Sequence, residues 1–325
     1  MHPAFSVIFL TTLIGVGQGL FLALYTGQLY SVIQVLPVQD SPGFYGYGSL
    51  LALVFLAGGL FASFFHLGRP ERAWRSAARW RTSWLSREVI VLPAFMGTTF
   101  IYSMIHINDC NPVLFALSEA FIVDLSLLVG AINMVLAFAL FVCTAMIYAC
   151  VKFLQEWATP LTVVNYILLG MASGFALCTA FAAYVQSDLV NFYGGWAITL
   201  TVMAFITRSA SLIRNNRIKH KSTLSSAIGI RHTQIQQKAQ GAMGGSFNTR
   251  EYFHGKKPGF LKSIKWTFLI LVFIVPVLLL SSALVTGSFV IFLLSFLIQY
   301  TGLIAERWFF FAQANHPQNL YYQTV

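Results

Sequence analysis

The segment FFHLGRPERAWRSAARWRTSWLSREVIV, residues 64–91, joins two long apolar stretches and carries six arginines: Arg69, Arg72, Arg75, Arg79, Arg81 and Arg87. One apolar stretch ends at His66 and the next opens at Glu88, so an imidazole and a carboxylate stand at the same end of neighbouring hydrophobic segments. Gly68 lets the chain turn there and Pro70 blocks continuation of a helix. Histidine changes protonation near neutral pH and can pass protons. Arg69, Arg81, Trp80 and Trp84 surround the pair in sequence. Titratable groups beside aromatic walls suit a quinone, whose reduction takes two protons with its two electrons. Each residue also has a plainer role, His66 as an interfacial cap and the tryptophans as part of an aromatic belt.

The elements that must position these groups follow from composition. The chain has 325 residues, 57% hydrophobic and 9% charged, with mean hydropathy +0.72. A soluble chain carries about 25% charged residues, so most of this surface must face lipid. Runs of 18 or more apolar residues recur, each long enough to cross a bilayer as a helix. The strict ten-residue alternation of a membrane barrel is absent from these runs. The expectation is an all-α polytopic membrane protein, a single domain over residues 1–325, with eight spans near 5–35, 45–65, 88–106, 120–150, 162–185, 192–211, 264–286 and 289–311. The first run has no basic leader and is too long and too polar, at Gln18 and Gln28, for a cleaved signal. Pro93 and Pro276 fall inside spans, and Gly15, Gly17 and Gly19 predict close helix contact.

With eight spans, all twenty lysines and arginines fall on one face, at the 2–3, 4–5 and 6–7 connections and the end of the last span. The opposite connections carry Asp40, Asp109, Glu119 and Asp188 instead. The positive-inside rule places both termini and the basic connections in the cytoplasm. The connection at 208–265 is long, polar and basic. Such a face can hold anionic headgroups or dock an acidic partner. RIKHK at 217–221 reads as a solvated charge run rather than a nucleic-acid site, and GAMGG at 241–245 lacks the GK[ST] of a phosphate loop.

Of seven histidines, only His66 and His106 touch spans, on opposite faces about 30 Å apart, which is wrong for a bis-histidine haem. Cys110, Cys143, Cys150 and Cys178 have no CxxC spacing and read as small buried hydrophobes. The expectation is no haem and no metal held by this chain. Asp124 and Glu306 are candidates for a proton path, since intramembrane acids are functional by default. Glu306 could instead pair with Arg307. Gln18 and Asn133 are weak signs of a transporter's mid-bilayer site, and no inverted repeat accompanies them.

The opening segment, with MHPAFSVIFLTTLIGVGQGL at 1–20, GGSFNTREYFHG at 244–255 and GLIAERWFFFAQANHPQNLYYQ at 302–323, resembles the membrane-anchor subunits of the dimethyl sulfoxide reductase family. The last two stretches look most like the anchors of its cytoplasmic sulfite dehydrogenase branch. The resemblance covers the whole chain. It implies a haem-free, eight-span anchor in the bacterial inner membrane, partnered by a molybdopterin catalytic subunit and an iron–sulfur subunit. It implies a quinone, ubiquinone or menaquinone, as substrate, near the histidine of HLG and the glutamate opening the next helix. His66 and Glu88 match those positions, with Arg69, Arg81, Trp80 and Trp84 beside them. The basic face would be the dock, through Arg72, Arg75, Arg250, Glu251, Tyr252, His254 and the tail at 312–325. The arginine count favours electrons flowing from cytoplasmic sulfite oxidation to quinone, with protons drawn from that side so that little net charge crosses. The alternatives are a quinol-oxidising reductase anchor and, in another class, a secondary transporter.

Overall fold

The computed structural model of the chain describes residues 1–118, 121–219, 223–232, 234–236 and 254–317. Eight helices are long and apolar enough to span a membrane: α1 Phe5–Val32, α2 Ser41–His66, α3 Trp84–Ile107, α4 Leu125–Ala149, α5 Pro160–Tyr184, α6 Val190–Asn216, α7 Pro258–Thr286 and α8 Phe289–Ala312. The expected all-α class and span count hold. Starts are set by local chemistry. Ser83, Asp124 and Thr159 accept hydrogen bonds from the first turns of α3, α4 and α5, and Pro160 and Pro258 occupy first-turn positions where no N–H is needed. α2 opens with a wide π turn at Ser41–Gly46 and tightens to a 3₁₀ turn at Phe64–His66.

Helices α1 and α5 form the centre, and each of the other six buries no more than 39% of its apolar window, leaving most of it for lipid. The glycines of α1 explain its position. A Cβ on Gly19 would fall on the carbonyl oxygen of Gly170 in α5, and one on Gly174 would fall on the backbone of Gly19. Buried amides join α3 and α4 to α1. Gln18 Nε2 donates to Ala137 O at 2.9 Å, Gln28 Nε2 to Ser126 Oγ at 2.6 Å, and Tyr102 Oη to Gln28 Oε1 at 2.7 Å. Asn133 Nδ2 donates to Thr99 Oγ1 at 2.8 Å, and its Oδ1 accepts from Thr98. Gln18 and Asn133 thus hold α1, α3 and α4 together.

Four details differ from the sequence reading. A two-stranded antiparallel hairpin, β1 Val113–Ser118 and β2 Phe121–Asp124, precedes α4 where its first turn was expected. Its β-branched and aromatic residues suit extended backbone, and its apolar character mimics a span. Asp124 is therefore the N-cap of α4, outside the helix it was expected to sit in, accepting from Leu127 N at 2.7 Å and Ser126 Oγ at 2.9 Å. The basic connection is shorter than 208–265, because α6 runs on to Asn216 and α7 begins at Pro258. Of the four cysteines only Cys143 and Cys178 are buried; Cys150 caps the exposed end of α4.

Candidate functional site

The arginine-rich connection is a 3₁₀ helix, Pro70–Arg79, followed by a turn into α3. Arg87 locks it down: Nε donates to Trp80 O and Nη2 to Arg81 O, each at 2.9 Å, while the guanidinium lies 4.3 Å from the centre of the Trp84 ring. Arg69, Arg72, Arg75, Arg79 and Arg81 are exposed, with Arg75 over Trp74 and Arg81 over Trp80. Trp74 is 71% exposed and Trp80 53%, so this edge offers cations and indole faces together. His66, in the 3₁₀ turn that ends α2, is exposed on the same edge.

Glu88 points the other way. It lies one helical turn beyond Trp84 and is buried, its carboxylate accepting from Thr144 Oγ1 of α4. No hydrogen bond or ion pair joins it to His66 among the described residues. Glu88, Thr144, Gln18, Thr12, Tyr166 and Arg307 line a cavity of about 20 Å³, drawn from α1, α3, α4, α5 and α8. That is room for a water and too little for an aromatic ring.

Behind this cavity lies a charge cluster. Arg208 of α6, Glu306 and Arg307 of α8 are 1, 0 and 4% exposed. Glu306 Oε1 is 2.7 Å from Arg208 Nε and its Oε2 is 3.2 Å from Arg307 Nη1. Both are close ion pairs shut inside the bundle. The Arg307 guanidinium sits 3.7 Å from the centre of the Tyr166 ring, and Arg208 sits 5.6 Å from that of Phe268. One carboxylate between two guanidiniums leaves one net positive charge, next to the cavity that Glu88 lines.

The remaining candidates scatter. Asp124 caps α4 near the opposite face, far along the helix from Thr144. Glu306 holds the ion cluster. His254 Nδ1 accepts from Lys256 N at 3.1 Å, and burial holds its pKa below the usual imidazole value. Arg250, Glu251 and Tyr252 lie outside the described residues.

This helical bundle, with an exposed arginine–tryptophan edge and a buried carboxylate behind it, is built by a sequence that matches known proteins along its whole length. The sequence profile of the DMSO reductase anchor subunit (DmsC) family covers residues 1–322. The chain belongs to the DMSO reductase anchor subunit family. A sulfite dehydrogenase subunit of Allochromatium vinosum is 58% identical over 325 residues, all of both chains. As a DmsC-family anchor, the chain associates with the catalytic part of a molybdoenzyme complex. Arg208, Tyr166 and Thr144 are among the residues of this anchor's polar centre that sequence reasoning missed. Arg208 read as the start of a loop. The signal lay in its position four residues after Ala204, on a helix whose polar end runs on without a turn residue.

Proposed function

We propose that this chain is the membrane anchor and quinone-reactive subunit of a bacterial inner-membrane complex that passes electrons from sulfite oxidation to the quinone pool. A molybdopterin subunit oxidises sulfite, an iron–sulfur subunit relays the electrons, and both dock on the arginine-rich face in the cytoplasm, where both termini of this chain also lie. The observation that carries this reading is the full-length 58% identity to a protein named as a sulfite dehydrogenase subunit. The one-sided distribution of lysine and arginine supports the orientation.

In this reading quinone, two electrons and two protons give quinol. The quinone head rests at the membrane edge beside His66, between the end of α2 and the 3₁₀ helix, because the cavity beside Glu88 is too small for a ring. Arg69 and Arg81 favour the negative charge that builds on the ring oxygens, and Trp80 and Trp84 offer flat apolar contact. Exposed His66 exchanges protons with cytoplasmic water. Glu88 is a second proton store, reached through the water-sized cavity and oriented by Thr144. Arg72, Arg75 and the basic 6–7 connection hold the soluble subunits.

Replacing His66 by alanine in the assembled complex abolishes sulfite-driven quinone reduction and leaves dye-linked sulfite oxidation intact. Unchanged quinone reduction removes His66 from the mechanism. Deleting residues 217–257 releases the soluble subunits from membranes, and their retention at high salt contradicts the docking assignment. With the two exposed native thiols, Cys110 and Cys150, replaced by serine, the Ser76→Cys variant is labelled by an impermeant thiol reagent only after cells are opened; labelling of intact cells reverses the orientation.

A further inference from the structure

A second and larger cavity, about 940 Å³, opens at the end of the bundle where α6 and α8 finish and α7 begins. Among the described residues its wall carries Lys256, Lys257, Lys262 and Lys265, with Asn215 and one acid, Glu156. Lys262 and Lys265 are three residues apart and share a face of α7. Lys257 is the N-cap of α7, so the positive end of that helix dipole adds to the four ammonium groups. None of the four lysines forms an ion pair within the described residues. The concentration of cations around one concave space distinguishes it from a scattered basic surface.

The level of the cavity relative to the bilayer is marked by its neighbours. Trp266 and Phe260 are 55 and 44% exposed beside it, with Lys265 and Lys256 lying 5.7 and 5.6 Å from their ring centres. Exposed aromatic rings at the end of a span sit at headgroup depth, and lysines there reach up to the interface. A ligand entering from this side comes from the leaflet, and the ammonium groups select a phosphate.

We propose that this cavity binds the phosphate-bearing headgroup of an anionic phospholipid from the leaflet on the arginine-rich face. The phosphate lies among Lys257, Lys262 and Lys265, away from the Glu156 carboxylate, and the acyl chains run down the outer side of α7 past Trp266. The assignment stands independently of the quinone reading, since it needs neither partner subunits nor turnover.

The test uses the purified full-length chain in zwitterionic detergent, titrated with phosphatidylglycerol and read by native mass spectrometry. The wild-type chain retains the lipid, and phosphatidylcholine does not replace it. Neutralising Lys257, Lys262 and Lys265 together to glutamine weakens retention about 100-fold, at roughly 1 kcal/mol per basic group. The corresponding triple arginine variant keeps it, which guards against a variant that merely fails to fold. Neutralising exposed Arg72 and Arg75 leaves retention unchanged. Equal weakening by the Arg72/Arg75 pair, or none by the lysine triple, overturns the site. Displacement of the lipid by an equal concentration of inorganic phosphate overturns the lipid as the source of the phosphate.

Discussion

Glu306 is the hub of the buried charges, and its replacement by glutamine discriminates between readings of that cluster. The carboxylate lies 2.7 Å from Arg208 and 3.2 Å from Arg307, with all three side chains shut off from solvent. At an effective dielectric of about 20, each contact carries on the order of 5 kcal/mol of Coulomb attraction, most of it offset by desolvation. Glutamine keeps the shape and removes the charge, leaving two uncompensated guanidiniums inside the bundle. Breaking a buried pair in this way costs about 3–5 kcal/mol. Replacing Arg307 by methionine leaves the Arg208–Glu306 pair neutral and loses chiefly the stack on Tyr166, ~1–2 kcal/mol. In thermal unfolding in mild detergent, followed by tryptophan fluorescence, Glu306→Gln lowers the midpoint by on the order of 10 °C at a few degrees per kcal/mol. Arg307→Met lowers it by less than half as much. Equal losses, or a larger loss for Arg307→Met, refute the hub assignment.

Further outcomes follow from the same structure. Gly174→Ala destabilises the chain by about 1–3 kcal/mol, because the added methyl meets the backbone of α1, whereas Gly97→Ala, with open space around it, costs nothing in the same melting experiment. Asp124→Ala loses the cap on α4, about 1 kcal/mol, and Asp124→Asn retains most of it, read by the same midpoints. His254 titrates below the usual 6.5 for imidazole, because burial disfavours its charged form; its bond from Lys256 N is intact above that value and lost as pH falls through the folded pKa. A ring-proton NMR titration with a midpoint above 6.5 contradicts this. Glu88→Gln slows quinone reduction by the assembled complex on the order of 100-fold, as expected for loss of a proton-transfer group, without changing dye-linked activity. An unchanged rate removes Glu88 from the proton route.

Composition and the lengths of the apolar runs foretold eight helices long and apolar enough to span a membrane, because nine per cent charged residues cannot cover a soluble surface and backbone groups in hydrocarbon must bond within their own helix. The clustering of six arginines between the second and third spans, and the placing of HLG and a glutamate at the neighbouring ends of those spans, were equally local, legible from order along the chain. The hairpin at 113–124 escaped notice because short apolar strands and helix starts have the same composition. Only the tertiary structure decided that His66 faces outward while Glu88 faces inward, since which way a helix turns depends on the helices packed against it. It also decided that Arg208 meets Glu306 and Arg307, from a helix far away along the chain, in one buried cluster. A charge in a sequence carries no mark of its partner. What makes it tolerable inside a membrane is an opposite charge brought close by distant parts of the fold.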